Sequence, residues 1–181
     1  MILRFSCILL VGLVFLGCRL QYGTDVEAES LDSMVPNVEM FFFSQQVYQD
    51  GNLLLELQAV TSRAYQSRNL RELEGVVFLE YTADGQVAAE GRADRAVFFT
   101  DTENVELTGS ITVYTRRDGA TVIGDYFYWD SEARTISSLL DNLVSVTTDD
   151  GEEIAGRGFQ ADTARRRIEF TRGVEGMIQD E

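Results

Sequence analysis

Short apolar runs separated by turn residues dominate the chain beyond residue 36. Residues 41–43 read Phe-Phe-Phe, residues 53–57 read Leu-Leu-Leu-Glu-Leu, and residues 76–81 read Val-Val-Phe-Leu-Glu-Tyr. Runs of this length, bounded by Gly, Asn and Asp, predict β-strands rather than helices. Residues 64–71 are compatible with one helical turn. The pattern therefore predicts an all-β domain.

An internal repeat is the most informative pattern in the chain. Gly75, Gly109 and Asn142 each stand before a similar segment, at spacings of 34 and 33 residues, and are predicted to open a strand. Each segment leads into an Asp-Gly pair, which indicates a hairpin because both turn residues adopt positive φ. These pairs are Asp84-Gly85, Asp118-Gly119 and Asp150-Gly151, and a further glycine follows each of them at Gly91, Gly124 and Gly156. Tandem hairpin units predict a stacked or rolled antiparallel sheet.

Alternation within the repeat predicts which face of the sheet is buried. When the units are aligned on Gly75, Gly109 and Asn142, apolar residues recur at the second and fourth following positions, while the later two units carry Ser and Thr between them. One face of the sheet is therefore predicted to be apolar and buried, and the other to be polar and exposed to solvent. The aligned apolar residues are Val77, Ile111 and Val144, then Leu79, Val113 and Val146, with Val97, Phe99, Phe127, Trp129, Phe159 and Ala161 in the return strands. By itself, such a stripe is typical of an ordinary core.

The N-terminus has a different pattern. A charged start at Arg4 precedes an uncharged apolar run from Phe5 to Cys18. This run of about 14 residues is shorter than the roughly 20 that a spanning helix needs, and it is typical of a cleaved signal peptide. Its end, Gly17-Cys18, resembles a bacterial lipobox, in which Cys18 becomes the lipidated first residue. The alternative is an uncleaved signal anchor.

The polarity pattern divides the chain into three parts. Residues 1–18 are predicted to be a signal peptide with a lipobox, or a membrane anchor. Residues 19–36 are polar and without a clear period, which predicts a flexible tether. Residues 37–181 are predicted to form the β-domain.

The net charge of the chain limits the kinds of molecule that it is expected to bind. The chain has 15 basic residues, all of them arginine, against 30 acidic residues, for a net charge of −15. Such an acidic surface repels phosphate backbones, so nucleic-acid binding is not expected. The run Arg165-Arg166-Arg167 is predicted to be a solvated hairpin turn. Arginine also binds phosphate bidentately, so contact with a lipid headgroup is the sharper alternative.

The residues of most catalytic centres are missing. The chain has no histidine, and both cysteines, Cys7 and Cys18, lie in the export segment. A thiol nucleophile, a disulfide and a thiolate metal site are therefore not expected in the mature domain. The repeated Asp-Gly aspartates fit turn chemistry, and their spacing matches no known calcium loop. No cofactor, metal or enzymatic activity is predicted, although a two-carboxylate glycosidase remains compatible with the composition.

A run of segments in one order resembles a known family. Residues 48–59, Tyr-Gln-Asp-Gly-Asn-Leu-Leu-Leu-Glu-Leu-Gln-Ala, resemble the opening of the periplasmic LptC family of lipopolysaccharide-export components, which are related to the OstA-type β-jellyroll. The resemblance covers about residues 40–178 and continues through residues 93–99, 105–113, 126–130, 136–138, 154–162 and 173–176. Family members typically keep an uncleaved N-terminal membrane helix, and the lipobox-like end at Cys18 departs from that pattern.

The resemblance implies a fold and a role. It implies an antiparallel β-jellyroll with open edge strands, held at the periplasmic face of the inner membrane, that shelters the acyl chains of lipopolysaccharide or another envelope lipid. The N-terminal strands would dock on an inner-membrane ABC transporter, and the C-terminal strand, Arg167 to Phe170, would pair with an OstA- or LptA-like jellyroll. The residues expected to line the lipid site are Val77, Leu79, Ile111, Val113, Val144, Val146, Phe127 and Trp129. The alternative is a surface or periplasmic lipoprotein that acts as an adhesin or scaffold, with a dry core and no lipid cargo.

Overall fold

Ten β-strands make up nearly all of the part of the chain that a computed structural model describes, residues 34–165 and 167–177. The predicted signal peptide or anchor, and residues 19–33 of the predicted tether, lie outside the described residues. A single 3-10 turn, Gln66–Arg68, falls within the stretch that is compatible with a helical turn. The strands are β1 Val38–Gln49, β2 Asn52–Tyr65, β3 Leu70–Tyr81, β4 Val87–Phe99, β5 Val105–Thr115, β6 Ala120–Asp130, β7 Thr135–Ser137, β8 Leu143–Thr148, β9 Glu153–Asp162 and β10 Arg167–Met177.

The strands form one antiparallel sheet in which neighbours in sequence are neighbours in space. The order runs from β1 to β6, then through β7 to β9 and β10, and β8 also lies between β6 and β9. Strands β1 and β10 each pair with a single described strand, so they are the edges of the sheet. The predictions of an all-β chain and an antiparallel jellyroll built from tandem hairpins are confirmed.

The three predicted Asp-Gly pairs lie in hairpin turns as expected, but only their glycines have positive φ, because these connections are longer than two residues. Gly85, Gly119 and Gly151 follow strands β3, β5 and β8, and each has positive φ. A fourth Asp-Gly pair, Asp50-Gly51, forms a two-residue turn between β1 and β2, and both of its residues have positive φ, at 52° and 82°. Two successive positive φ values match the twist of a right-handed hairpin, which is why Asp-Gly is favoured there. An Asp-Gly turn thus also precedes the three aligned repeats.

Two of the glycines that were expected to open strands lie inside strands instead. Gly75 is in the middle of β3, with φ 62°, and Gly109 is in the middle of β5, with φ 73°. Between Thr108 and Ile111, β5 contains one residue more than the facing stretch of β6. An extra residue of this kind is a β-bulge, which bends the strand.

The bends bring the two halves of the sheet together around a common core. Leu57 pairs with Phe78, which follows Gly75 on β3. Val105 lies on β5 before the bulge, on the other side of the bend, yet both Leu57 and Val105 pack against one buried cluster. This cluster consists of Ala59, Leu73, Val76 and Ala96. A second cluster consists of Ala93, Ile111, Phe127, Val144, Val146 and Phe159. The face that carries these buried residues is called the inner face below, and the opposite face the outer face.

Aromatic rings packed over glycines fill the C-terminal part of the core. The ring centroids of Phe127 and Phe159 lie 5.6 Å apart, and those of Phe159 and Phe170 lie 5.5 Å apart. A Cβ atom added at Gly124 would lie 2.8 Å from Phe127, and one added at Gly156 would lie 2.7 Å from Phe170. The glycines that follow the second and third Asp-Gly turns therefore make room for rings on the inner face.

Candidate functional site: the inner face of the sheet

Five of the eight residues predicted to line a lipid site point into the core. Ile111 and Val144 are both 0% exposed. Phe127 and Val146 are buried in the same cluster, and Val113 packs against it while half-buried. The inner face is therefore apolar at these positions, and it is already filled by protein at its centre.

Trp129 is half-buried and also belongs to the inner face. It pairs with Ile136, which packs against the buried cluster, and residues paired across antiparallel strands point to the same side of a sheet. Trp129 lies farther than Phe127 from the stretch of β6 that faces the bulge, towards the β6–β7 turn. Its position agrees with the predicted parity.

The inward orientations predicted for Val77 and Leu79 are wrong, and so is that of Val97, which pairs with Glu72 and Glu106 beside the buried Ala96. Val77 is 50% exposed, whereas its neighbour Val76 is 2% exposed and belongs to the core. Leu79 pairs with Glu56 and Glu90, on the outer face. The reason is the extra residue in β5, because a shift of one residue moves every side chain to the other face. Val76 is thus the structural counterpart of Ile111.

Three strands contribute inner-face residues that the sequence pattern did not identify. Phe43 on β1 and Leu57 on β2 pack against the first buried cluster and remain half-buried. Phe78 on β3 lies over Gly91, where an added Cβ would be 2.5 Å from its ring. The repeat could have revealed Phe78 only if the bulge in β5 had been recognised.

Polar groups interrupt the inner face near strand β1. Ser62 is fully buried, and its Oγ has no hydrogen-bond partner among the described residues. The Arg71 guanidinium lies 5.3 Å from the ring centroid of Phe43 and donates a hydrogen bond of 3.3 Å to Gln45 Oε1. The β1 end of the inner face is therefore more polar than the aromatic C-terminal end.

Edge strand β1 exposes large apolar side chains. It contains no buried residue, and Phe42 is 88% exposed with a φ of 54°. Phe41 and Tyr48 are also exposed. Edge strands of monomeric proteins are usually protected by charge, proline or a covering element. An exposed aromatic edge of this kind is typical of a strand that pairs with a partner.

The basic run at the β9–β10 turn is internally paired where the structure describes it. Arg165 lies 3.0 Å from Asp162, and Arg167 pairs with Glu169. The backbone N–H and the guanidinium of Arg165 both stabilise the Asp162 carboxylate, which lowers its pKa. These contacts fit the prediction of a solvated hairpin turn.

Metal sites and membrane-spanning helices are absent from the part of the chain that the structure describes. Within residues 34–165 and 167–177, no group of three or more acidic, histidine or cysteine side chains is arranged to hold a metal ion. The same part of the chain contains no helix that is both long and apolar enough to cross a membrane.

The fold and its inner face define a class of protein: an antiparallel β-jellyroll with an apolar interior and two edge strands that are open among the described residues. Comparison with protein families identifies the chain within that class. Residues 6–179 match the family described as lipopolysaccharide-assembly, LptC-related, and the chain belongs to this family. It is therefore a periplasmic component of lipopolysaccharide transport and not an enzyme, as the resemblance implied.

A solved structure supports the fold. The chain is similar to LptH from Pseudomonas aeruginosa, the LptA-homologous periplasmic component of the lipopolysaccharide transport device, with a TM-score of 0.55 and 12% identity. The similarity covers 70% of this chain and 95% of LptH. A comparison with curated protein sequences gave no match.

Proposed function

We propose that this protein is an envelope-anchored bridge component that shelters acyl chains between the two halves of its bent sheet. It receives lipopolysaccharide, or a related envelope lipid, from an inner-membrane ABC transporter and passes it to an LptA- or OstA-like jellyroll. The observation that carries the proposal is an apolar inner face that ends at two unpaired edge strands, β1 and β10. The space between the two halves of the sheet is called the trough below.

Burial of acyl chains supplies the binding energy. Each buried methylene contributes about 0.8 kcal/mol, so several chains outweigh repulsion from an acidic rim. Ile111 and Val144 are already fully buried, so they contact lipid only if the halves of the sheet separate. Phe43 on β1 and Leu57 on β2 are only half-buried, so an entering lipid contacts them before it contacts Ile111 or Val144. Loading is therefore expected to begin at the β1 end of the trough.

Strand addition accounts for the partners. An unpaired edge offers its backbone N–H and C=O groups to a strand of another protein. Strand β1, with its exposed aromatic residues, fits docking on the transporter, and β10, including Arg167 to Phe170, fits pairing with the next jellyroll. Cys18 or an uncleaved anchor holds the domain at the membrane, and residues 19–36 give it reach.

Photo-crosslinking at two adjacent positions of β2 tests the proposal. A photoreactive amino acid replaces Leu57, on the inner face, or Gln58, which is exposed on the outer face, in the full-length chain in its own envelope. Irradiation is expected to attach lipid at position 57 and not at position 58. Equal attachment at both positions would contradict a lipid path along the inner face.

The second candidate function is a scaffold or adhesin with a dry core. The complete burial of Ile111 and Val144 favours it, because a filled core needs no cargo. On this account the edge strands still bind partners, but lipid attaches at neither position of β2. The same crosslinking experiment therefore decides between the two functions.

A further inference from the structure

An arginine occupies the inner face of the trough at its β1 end. Arg71 alternates with Leu73 along β3, and Leu73 is buried in the core, so both side chains point to the inner face. Arg71 pairs with Ala64, which pairs with Val38 at the start of β1.

The contacts of Arg71 show that its side chain crosses the trough. Its guanidinium contacts the side chains of Phe43 and Gln45. These residues lie five and seven positions after Val38 on β1. In a flat sheet, a separation of five residues corresponds to about 17 Å. The contact arises because the sheet bends and brings the second half of β1 over the first half of β3. Arg71 thus joins the two halves of the sheet where the trough opens at its edge.

No carboxylate within the described residues lies within ion-pair distance of Arg71, although acidic residues outnumber basic ones by 30 to 15. Several other arginines of the sheet, by contrast, pair with carboxylates. Arg63 lies 2.7 Å from Glu39 and 2.8 Å from Glu74, and Arg95 lies 2.9 Å from Glu72. Arg71 has instead one neutral acceptor, at the long distance of 3.3 Å, and an aromatic ring.

The chemistry of this environment favours an anion. A guanidinium presents five N–H donors in a planar fork, and a single amide oxygen satisfies only part of them. Apolar neighbours lower the local dielectric constant and strengthen any charge pair formed there. Gln45 is exposed, so a ligand reaches the guanidinium from solvent. Phosphate matches the fork of an arginine bidentately.

We propose that Arg71 binds a phosphate group of the lipid cargo at the β1 end of the trough. This inference rests on the proposed function, and it means that the trough prefers lipids that carry a phosphate in the headgroup. With the phosphate on Arg71, the acyl chains extend along the inner face past Leu57 and Phe78. The acidic surface repels phosphate elsewhere, so Arg71 fixes which end of the lipid stays at the opening.

Matched variants separate this role from a structural one. Arg71→Gln removes the charge and keeps a polar side chain, Arg71→Lys keeps the charge without the planar fork, and Arg92→Gln removes an exposed charge from the outer face. Arg92 pairs with the exposed Val77, which places it on that face. Thermal unfolding of each full-length variant identifies any loss of folding before lipid is added.

The binding experiment uses an equimolar mixture of diphosphorylated lipid A and the same lipid A after phosphatase treatment. Native mass spectrometry of the full-length chain, extracted in detergent, reports both complexes in one spectrum. The wild type and Arg92→Gln are expected to prefer the phosphorylated lipid, and Arg71→Gln is expected to lose about tenfold in that preference. Arg71→Lys is expected to lie between the wild type and Arg71→Gln.

Each contrary outcome has a distinct meaning. Equal binding of the two lipids by the wild type, or an equal loss of both in folded Arg71→Gln, would overturn the assignment of Arg71 and leave the proposed function standing. Failure of the wild type to bind either lipid would overturn the proposed function and this inference with it. Excess inorganic phosphate is expected to leave the preference intact, because buried acyl chains hold the lipid in place. Loss of the preference on its addition would show that the site takes free phosphate and would overturn the assignment to the cargo.

Discussion

Glycines that lie under aromatic rings set the packing of the core at the scale of single residues. Gly156 faces Phe170, which in turn contacts Phe159 at a centroid distance of 5.5 Å. A side chain at position 156 would displace the ring on the neighbouring edge strand. The third repeat therefore needs a glycine there for close packing, since its φ is not in the left-handed region.

Gly156→Ala is expected to lower the free energy of unfolding by about 1–3 kcal/mol, because the new Cβ would lie 2.7 Å from Phe170. Urea unfolding of the full-length chain measures the change. Gly176→Ala is the control, since its Cβ would have its nearest contact at 3.4 Å. If ring overlap is the cause, adding Phe170→Leu to Gly156→Ala recovers part of the loss in a double-mutant cycle. Additive effects would contradict that cause.

Bulges decide the orientation of side chains at the scale of single strands. The sequence pattern predicts the strands themselves and the Asp-Gly turns well, because both depend on local conformation. The pattern fails at Val77, because the extra residue in β5 shifts the alignment of the first repeat with the second by one position. Since side chains alternate between the two faces, this shift reverses the predicted face of the following residues of β3. A bulge leaves no distinctive mark in the sequence beyond a glycine.

Val76→Glu and Val77→Glu test the corrected faces of β3 with the same change of charge. Val76→Glu is expected to destabilise the fold by at least about 3 kcal/mol, since it buries a charge with no partner. Val77→Glu is expected to change stability by no more than about 0.5 kcal/mol, as at an exposed site. Chemical unfolding measures both. Equal tolerance of the two substitutions would mean that the face of β3 is assigned wrongly.

Burial is uneven at the scale of the whole molecule. Strand β1 has no buried residue, whereas β6, β8 and β9 supply most of the second buried cluster, including Phe127, Val144 and Phe159. Local opening costs least where few apolar contacts are lost. The trough is therefore expected to open at its β1 end, where Arg71 joins the two halves of the sheet.

Hydrogen exchange of the full-length chain tests this order of stability. The amides of β1 are expected to exchange faster than the hydrogen-bonded amides of β6 and β9. Addition of lipid A is expected to slow exchange in β1 and β2 more than in β9, because cargo would hold the two halves of the sheet around it. Uniform exchange across the sheet would contradict opening from the β1 end.

Local sequence patterns are enough to predict the all-β character, the positions of the Asp-Gly turns and most of the apolar inner face. These features depend on residues close together in the chain, and alternation reports them directly. The tertiary structure decided what depends on the bend of the sheet. It placed Val76 inside and Val77 outside, filled the centre of the trough around Ile111, and brought Arg71 across to Phe43. Those contacts join strand segments that a flat sheet would keep well apart, so no local pattern encodes them.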